Sequence, residues 1–389
     1  MIWKNKSKEL DELANKLVGK FDKPLKIYIF GAGKLGSILA ETLQFFGGLG
    51  GFIDNDIKKQ QQGFHDQKVY SVNEYLKKHN GMIVVAASIK NIPIIEVQLQ
   101  NLQLVHKKDY FFYEEFYNDI LPIIALYSFH KSYIPLVQVT VTERCSLKCR
   151  KCAHGCYAVK NTAKDLTLQQ IYKSADSFFA KIDFIREFVL IGGEPLLYKE
   201  LAQAIAYIGE KYRNQMEIYS ITTNGTILPS KEVLEACQKY NVLFRISNYK
   251  KQIPRLKTSY KNLTDTLDKY YVPYILGSEE IEWFDYGFES GNRGRQKEEL
   301  VKVFDQCHTL CREVRENRFY YCVMARSVSE NLSINVGEND YLDLDQLEGE
   351  KGKKELLEFH MGYSEKGYLD MCDYCSGKDA SIIPAAEQI

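Results

Sequence analysis

The chain lacks the features that would tie it to a membrane, to secretion or to nucleic acid. No stretch of its 389 residues approaches eighteen consecutive apolar residues, and its first residues lack the apolar region of a signal peptide. Its 51 basic and 51 acidic residues balance, so no net field attracts nucleic acid or an anionic membrane. We therefore expect a cytoplasmic protein of two or three domains, with neither a membrane nor nucleic acid as partner.

Cysteine is plentiful, and its distribution is uneven. In a reducing cytoplasm the ten cysteines are not expected to form disulfides, so clustered cysteines indicate metal. Cys145, Cys149 and Cys152 follow an apolar, strand-like run with the spacing C-x3-C-x2-C. Cys156 comes four residues later, and we interpret it as a packing residue. A second group lies further along the chain: Cys307, Cys311, Cys322, Cys372 and Cys375.

A glycine pattern marks the first part of the chain. An apolar strand-like run ends in G-x-G-x-x-G, formed by Gly31, Gly33 and Gly36, and a second such run ends in Asp54. In this context the glycines let a pyrophosphate approach a helix N-terminus, and the acid accepts hydrogen bonds from a ribose. A nucleotide or NAD(P) is the candidate ligand. The alternative is a scaffold that keeps the glycine turn for packing alone.

The first cysteine group predicts a site with an open position. A structural zinc site has four protein ligands, whereas three clustered thiolates leave one corner of a soft-metal centre open. Two polar motifs follow at the ends of later predicted strands, and Ser247 ends a third. Because the carboxyl ends of parallel strands meet at one edge, we expect these residues to share a site with the cysteines. The motifs are Gly192-Gly193-Glu194-Pro195 and Thr222-Thr223-Asn224-Gly225.

Together these motifs resemble those of the radical S-adenosylmethionine (radical SAM) enzymes. The resemblance implies an α/β fold, with a partial (β/α)6 TIM-like barrel over residues 134–290. It also implies a 4Fe-4S cluster on Cys145, Cys149 and Cys152, whose open iron binds S-adenosylmethionine. Reductive cleavage then gives a 5′-deoxyadenosyl radical that abstracts a substrate hydrogen, with flavodoxin or ferredoxin as a typical external electron donor.

Further roles come from the same resemblance. Glu194, after Gly192 and Gly193, is expected to accept hydrogen bonds from the methionine ammonium group. Lys151 departs from the family pattern, which often has an aromatic residue or His there against the adenine. The residues expected to contact the ribose or the carboxylate of S-adenosylmethionine are Thr223, Asn224 and Ser247.

The second cysteine group resembles the auxiliary-cluster modules of radical SAM enzymes, known as SPASM and twitch. We predict such a module over residues 300–389, with one auxiliary 4Fe-4S cluster. Four cysteines saturate that cluster, so one of the five is spare, and Cys307 and Cys311 are the candidates. A structural zinc ion is the alternative.

The substrate class is inferred from the first domain, predicted as a Rossmann-like domain over residues 1–118. It resembles modules joined to sugar-modifying bacterial enzymes, so we expect a small-molecule substrate that is sugar-like or nucleotide-linked, such as a nucleotide sugar. Dehydrogenation or epimerisation is the favoured reaction, and Trp283 and Asp285 are the candidates for substrate contact. A peptide-modifying maturase and a non-catalytic metal-binding scaffold are the alternatives.

Overall fold

A computed structural model describes residues 8–160, 162–163, 165–307, 309–334, 340–363 and 366–389. The chain divides into two compact units, one extending to Pro135 and the other running from Leu136 to Ile389. We call them the glycine-loop unit and the cysteine unit. In the part of the chain that the structure describes, no helix is both long enough and apolar enough to cross a membrane.

The glycine-loop unit alternates short strands with helices. Its strands are β1 Ile27–Phe30, β2 Leu49–Ile53, β3 Val69–Tyr70, β4 Met82–Val85 and β5 Tyr110–Phe112. Its helices are α1 Glu9–Val18, α2 Lys34–Phe46, α3 Ile57–Gln62, α4 Val72–Lys78, α5 Ile92–Asn101, α6 Tyr113–Glu115 and α7 Leu121–Phe129.

These strands form one parallel sheet in the order β3-β2-β1-β4-β5. β1 and β4 are apolar and buried throughout, as expected of central parallel strands covered on both faces. The direction of winding reverses between β1 and β4, which is the place where doubly wound sheets have a crevice at their carboxyl end. The glycine turn follows β1 and therefore lies at that crevice.

The cysteine unit contains the longer strands. They are β6 Tyr133–Thr142, which begins at the boundary between the units, β7 Phe184–Gly192, β8 Met216–Thr223, β9 Val242–Ile246, β10 Tyr274–Leu276, β11 Glu282–Asp285, β12 Arg312–Arg315, β13 Arg318–Tyr320, β14 Tyr341–Asp343 and β15 Ser381–Pro384. The helices are α8 Leu168–Phe179, α9 Leu201–Tyr212, α10 Lys231–Lys239, α11 Leu256–Lys269, α12 Lys297–Asp305, α13 Val323–Asn331 and α14 Gly349–His360.

The main sheet of this unit has the order β10-β9-β8-β7-β6-β12-β13-β14. β7, β8, β9 and β10 pair in parallel, each followed or preceded by a helix, and β12 pairs in parallel with β6. α8 begins at Leu168 because Thr167 and Gln170 form a capping box there. This mixed α/β architecture sets the carboxyl ends of β6, β7, β8 and β9 side by side.

Residues 300–389 belong to the same compact unit as the preceding strands. β12 extends the main sheet from β6, and β13 and β14 continue it as antiparallel strands. β11 and β15 form a separate antiparallel pair with Trp283 opposite Ile383. The segment that carries the second cysteine group is thereby fixed to the strand that leads into the first.

Candidate active site

The three cysteines of the first group line one cavity of about 400 Å³, which we call the triplet cavity. They lie on the loop that leaves β6, and the ends of β7, β8 and β9 form the opposite wall. The sequence-predicted residues that line it are Cys145, Cys149, Cys152, Gly192, Gly193, Thr223, Asn224, Ser247 and Trp283. Residues separated by more than one hundred positions thus meet at the carboxyl edge of the sheet.

The glycine pair at the end of β7, Gly192 and Gly193, allows that strand to pass directly against the cysteine loop. A Cβ atom on Gly192 would lie 2.4 Å from the carbonyl oxygen of Thr142, and one on Gly193 would lie 2.3 Å from that of Arg144. The backbone N–H of Gly193 donates to Thr142 (2.9 Å), and that of Glu194 donates to Arg144 (2.8 Å). Any side chain here would push the loop away from the strand.

The Glu194 carboxylate lies behind the cavity wall. Its side chain is fully buried and does not line the triplet cavity. It accepts hydrogen bonds from the Thr223 hydroxyl (2.8 Å) and from the backbone N–H groups of Asn224 (2.8 Å) and Leu196 (3.1 Å). Burial raises the pKa of Glu194 to about 7, and the three donors oppose this shift by stabilising the carboxylate. Glu194 therefore ties the end of β7 to the end of β8, and its contact with a methionine ammonium stays a prediction.

Asn224 connects the end of β8 to the cysteine loop. Its side-chain amide donates to the Ser146 hydroxyl (3.1 Å) and points to the Cys145 sulfur at 3.6 Å. Ser247, at the end of β9, lines the same cavity and donates its backbone N–H to the carbonyl of Thr223 (2.9 Å). Both side chains can reach a polar ligand in the cavity.

The thiols of the first group have unequal surroundings. Burial raises the pKa of Cys145 to about 11 and that of Cys149 to about 12, whereas a hydrogen bond with Cys156 lowers the pKa of Cys152. Cysteine binds iron as a thiolate, so a cluster held by these three residues would release protons when it is loaded.

Three thiols on one cavity wall, with the rest of the cavity open, fit a cluster that also binds a non-protein ligand. Across the described ranges, no group of three or more His, Cys, Asp or Glu side chains converges tightly enough to hold a single metal ion. Cluster ligands bind separate irons, so they need not converge on one point.

The two candidates for substrate contact differ in position. Trp283 lines the cavity and meets Tyr249, another lining residue, edge to face with ring centroids 5.7 Å apart. Asp285 lies outside the lining and pairs with the Lys151 ammonium at 3.3 Å. Lys151 also pairs with Glu289 at 2.5 Å. The Lys151 ammonium, which belongs to the cavity lining, is therefore held by two carboxylates.

Four cysteines of the second group line another cavity of about 340 Å³, the distal cavity. It is bounded mainly by apolar side chains, including Phe304 and Met371. Cys311 is half-buried and absent from this lining, and the charged groups that act on its thiol are Arg312, Glu187 and Glu313. The cysteines of the distal cavity are Cys307, Cys322, Cys372 and Cys375.

The triplet cavity and the distal cavity have a wall in common. Phe284 and Tyr286, on and just after β11, line both of them. The Tyr286 ring is half-buried, and burial followed by the neighbouring cysteines raises its pKa to about 12. Two aromatic side chains thus stand between the two groups of thiols.

The glycine-loop unit has its own cavity of about 480 Å³ at the carboxyl ends of β1 and β4. A Cβ atom on Gly36 would lie 2.1 Å from the carbonyl oxygen of Gly31, so packing requires that glycine. A Cβ atom on Gly33 would meet nothing within 4 Å. The Asp54 carboxylate accepts from the Ala32 N–H (2.9 Å) and from the Lys59 ammonium (3.1 Å), so both groups compete with a ribose for it.

Tyr249 and His154 line the triplet cavity but belong to no motif that marks them in the sequence. Tyr249 follows Ser247 by two positions, and His154 follows Cys152 by two. Proximity to a motif is the signal that could have identified them. Glu289, which pairs with Lys151, carries no such signal.

Comparison with known proteins agrees with this geometry. Residues 139–247 match the Radical SAM superfamily model, a range that contains the first cysteine group and the ends of β7, β8 and β9. GTP 3′,8-cyclase of Ectopseudomonas mendocina is 32% identical over 95 residues, which are 24% of this chain and 28% of the cyclase. GTP 3′,8-cyclase of Rhizobium etli is 29% identical over 110 residues, 28% of this chain and 30% of that protein. The matches thus span less than a third of these relatives.

Solved structures resemble the chain weakly. BtrN in complex with AdoMet and 2-DOIA superimposes with a TM-score of 0.37 at 16% identity, over 66% of this chain and 97% of that one. Streptococcus suis SuiB bound to S-adenosylmethionine gives a TM-score of 0.30 at 18% identity, over 49% and 45% of the two chains. Since these TM-scores are low, the assignment of a family to this chain rests on the sequence match of residues 139–247 and on the geometry of the site. Residues 139–247 form a domain of the radical SAM superfamily, which implies a 4Fe-4S cluster and S-adenosylmethionine as cofactors.

Proposed function

We propose that this protein is a radical SAM enzyme that removes hydrogen from a small sugar-like or nucleotide-linked substrate. The observation that carries the proposal is the triplet cavity, which gathers three thiols and three strand ends around one space. When bound there, the cluster and S-adenosylmethionine supply a 5′-deoxyadenosyl radical for hydrogen abstraction. The protein groups position the reactants and exclude water.

The roles of this chain's own residues follow from their places around the cavity. Cys145, Cys149 and Cys152 would hold the cluster, and the open cavity in front of them would leave room for S-adenosylmethionine. Asn224 and Ser247 present amide and hydroxyl groups to that cofactor. Glu194 acts as a positioning residue, because its carboxylate binds the ends of β7 and β8 together.

The charges of the cavity favour the sugar-like substrate over a diphosphate-linked one. Lys151 is the one lysine or arginine among the described residues that line it, and two carboxylates already neutralise its ammonium. A diphosphate placed here would meet no unpaired cation. Trp283 and Tyr249 offer aromatic surfaces instead, which suit the apolar C–H faces of a sugar ring.

A second cluster is part of the proposal. Cys307, Cys322, Cys372 and Cys375 would hold it in the distal cavity, and Cys311 is then the spare residue. A cluster in that place would supply an acceptor for one electron, which a dehydrogenation needs and an epimerisation does not. The aromatic wall common to both cavities supports dehydrogenation as the first choice.

The experiment is anaerobic incubation of the reconstituted protein with reductant, S-adenosylmethionine and pools of free sugars, amino sugars and nucleotide sugars. Dehydrogenation gives a product lighter by two hydrogens together with 5′-deoxyadenosine. Epimerisation leaves the mass unchanged in water and adds one deuterium in heavy water. Turnover of a peptide pool, with none of the sugars, would contradict the proposal and identify a peptide-modifying enzyme.

The cyclase relatives motivate one further arm of that experiment. Their name describes a reaction on GTP, and they match this chain over 95 residues at 32% identity. GTP is therefore included in the pool. Among the described residues that line the cavity, no lysine or arginine is left unpaired to bind a triphosphate. We therefore expect GTP to remain unchanged.

For the glycine-loop unit we propose nucleotide binding at its own cavity. Gly33 supports it, because the space beside this glycine is open rather than filled by packing. Gly33→Val would place a branched side chain in that space and should abolish binding of nucleotide sugars and NAD(P), measured by calorimetry, with no loss of thermal stability. Equal affinity in both proteins, or none in either, would assign the glycine turn to packing.

A further inference from the structure

A side chain far from every motif contacts a cysteine of the first group. Gln388 pairs with Cys149 in an isolated antiparallel bridge, and its side-chain amide donates to the Cys149 sulfur at 3.2 Å. Residues 239 positions apart in the chain are thus joined beside the triplet cavity. Cys149 is a ligand in the proposed function, so the inference rests on that proposal.

The segment that carries Gln388 is fixed by its own contacts. Ala385 and Ala386 are buried, with at most 1% of each residue exposed. Two backbone hydrogen bonds then fasten the segment to the cysteine loop, from Arg150 N–H to the Glu387 carbonyl (2.6 Å) and from Ile389 N–H to the Lys148 carbonyl (2.9 Å). Gln388 therefore stands at a defined register against the loop.

The orientation of the amide follows from its partners. Its oxygen accepts from the backbone N–H of Lys148 (3.0 Å), and its nitrogen donates to the carbonyl of Ala386 (2.8 Å) as well as to Cys149. A flipped amide would set an NH2 group against the Lys148 N–H and its oxygen against the Ala386 carbonyl. The network thus leaves an N–H, not a carbonyl, facing the sulfur.

The contacts to the Cys145 sulfur are longer than the one from Gln388 to Cys149. Cys145 has the backbone N–H of Leu147 at 3.5 Å and the Asn224 amide at 3.6 Å. A hydrogen bond to a ligand sulfur stabilises the more negative, reduced form of an iron–sulfur cluster and raises its reduction potential. We propose that Gln388 is a positioning residue that holds an N–H on Cys149 and makes the cluster easier to reduce.

The test is an EPR-monitored redox titration of the reconstituted holoenzyme, in which the change of signal on adding S-adenosylmethionine identifies the first cluster. Gln388→Leu removes the N–H donor while keeping a side chain of similar size. Gln388→Glu keeps the oxygen that accepts from the Lys148 N–H but sets a negatively charged carboxylate oxygen against the Cys149 sulfur. Ile389→Ala is the matched control, since it keeps the same backbone bonds and adds no charge.

We expect Gln388→Leu to retain its iron and to become about tenfold harder to reduce, a shift of about 59 mV to lower potential for one electron. Gln388→Glu should shift further in the same direction, and Ile389→Ala should match the wild type. A potential equal to that of Ile389→Ala in both variants, or loss of the cluster in both, would overturn the inference. Failure of the proposed function would look different, because the wild type itself would then give no signal that responds to S-adenosylmethionine.

Discussion

The two groups of cysteines reach their cavities by different routes. Cys145, Cys149 and Cys152 come from a single loop after β6, so their spacing in the chain already brings them together. The four cysteines of the distal cavity come from the end of α12, the start of α13 and a late turn, and only the tertiary fold brings them to one place. Sequence spacing therefore identifies the first group directly, while the membership of the second needs the structure.

The surroundings of the two groups also differ. Glu194, Thr223 and Asn224 make a polar network behind the first group, and the cavity in front of it is open. Apolar side chains such as Phe304 and Met371 enclose the second group, which presents four thiols. A site with three thiols and open space suits a reacting ligand, whereas four enclosed thiols suit a centre that is complete without one.

The largest effect is expected when the first cysteine group is removed and the second is left intact. Replacing Cys145, Cys149 and Cys152 together by Ala should abolish 5′-deoxyadenosine formation and leave about four irons per chain, because the distal thiols remain. Iron analysis and chromatography of the reaction measure the two quantities. A fall to zero iron would contradict the distal cluster.

A matched pair of single variants tests which thiols belong to the second group. Cys322→Ala removes a thiol of the distal cavity, and we expect it to lose about four of eight irons. Cys311→Ala removes a half-buried thiol that does not line that cavity, and its iron content should equal that of the wild type. The reverse pattern would show that Cys311 is a ligand.

The polar network of the first group predicts a stability difference. In Glu194→Gln, one carboxylate oxygen becomes an NH2 group that faces the backbone N–H of Asn224, or the hydroxyl of Thr223 and the backbone N–H of Leu196. Because a donor then faces a donor, the change should lower the free energy of unfolding by about 1–3 kcal/mol. Glu200→Gln, an exposed change six positions away, is the control for the change of side chain. Chemical denaturation of the iron-free proteins measures both, and equal stability would contradict the role given to the Glu194 carboxylate.

The smallest effect is expected at Cys156, the fourth thiol near the first group. Cys156→Ala removes one buried sulfur atom, so it should cost less than about 1.5 kcal/mol of stability while leaving iron content and 5′-deoxyadenosine formation intact. Cys152→Ala in the same assay should abolish 5′-deoxyadenosine. If Cys156→Ala loses the cluster instead, the third ligand is assigned to the wrong thiol.

The mixed α/β architecture and the meeting of the first motifs at one cavity could be predicted because their signals are local. Strand-like runs that end in glycine, acidic or amide residues showed which parts of the chain meet at the carboxyl edge, and Gly192, Gly193 and Asn224 indeed line one cavity with the cysteines. The burial of Glu194 could not be read from the motif, since it depends on the donors that the end of β8 and Leu196 provide.

The remaining features depend on contacts between distant segments. No spacing indicates that Cys311 is absent from the lining of the distal cavity, that Lys59 pairs with Asp54, or that Gln388 reaches Cys149. Each of these follows from the register of strands and turns in the folded chain. They are the points at which the structure changes the interpretation of the sequence.

The most direct measurement is anaerobic reconstitution of the wild-type protein with iron and sulfide, followed by reductant and S-adenosylmethionine. We predict a brown protein with about eight irons per chain that forms 5′-deoxyadenosine, and formation should cease when the first cysteine group is replaced. A colourless protein that binds about two zinc ions and forms no 5′-deoxyadenosine would contradict the proposed enzyme and identify a metal-binding scaffold.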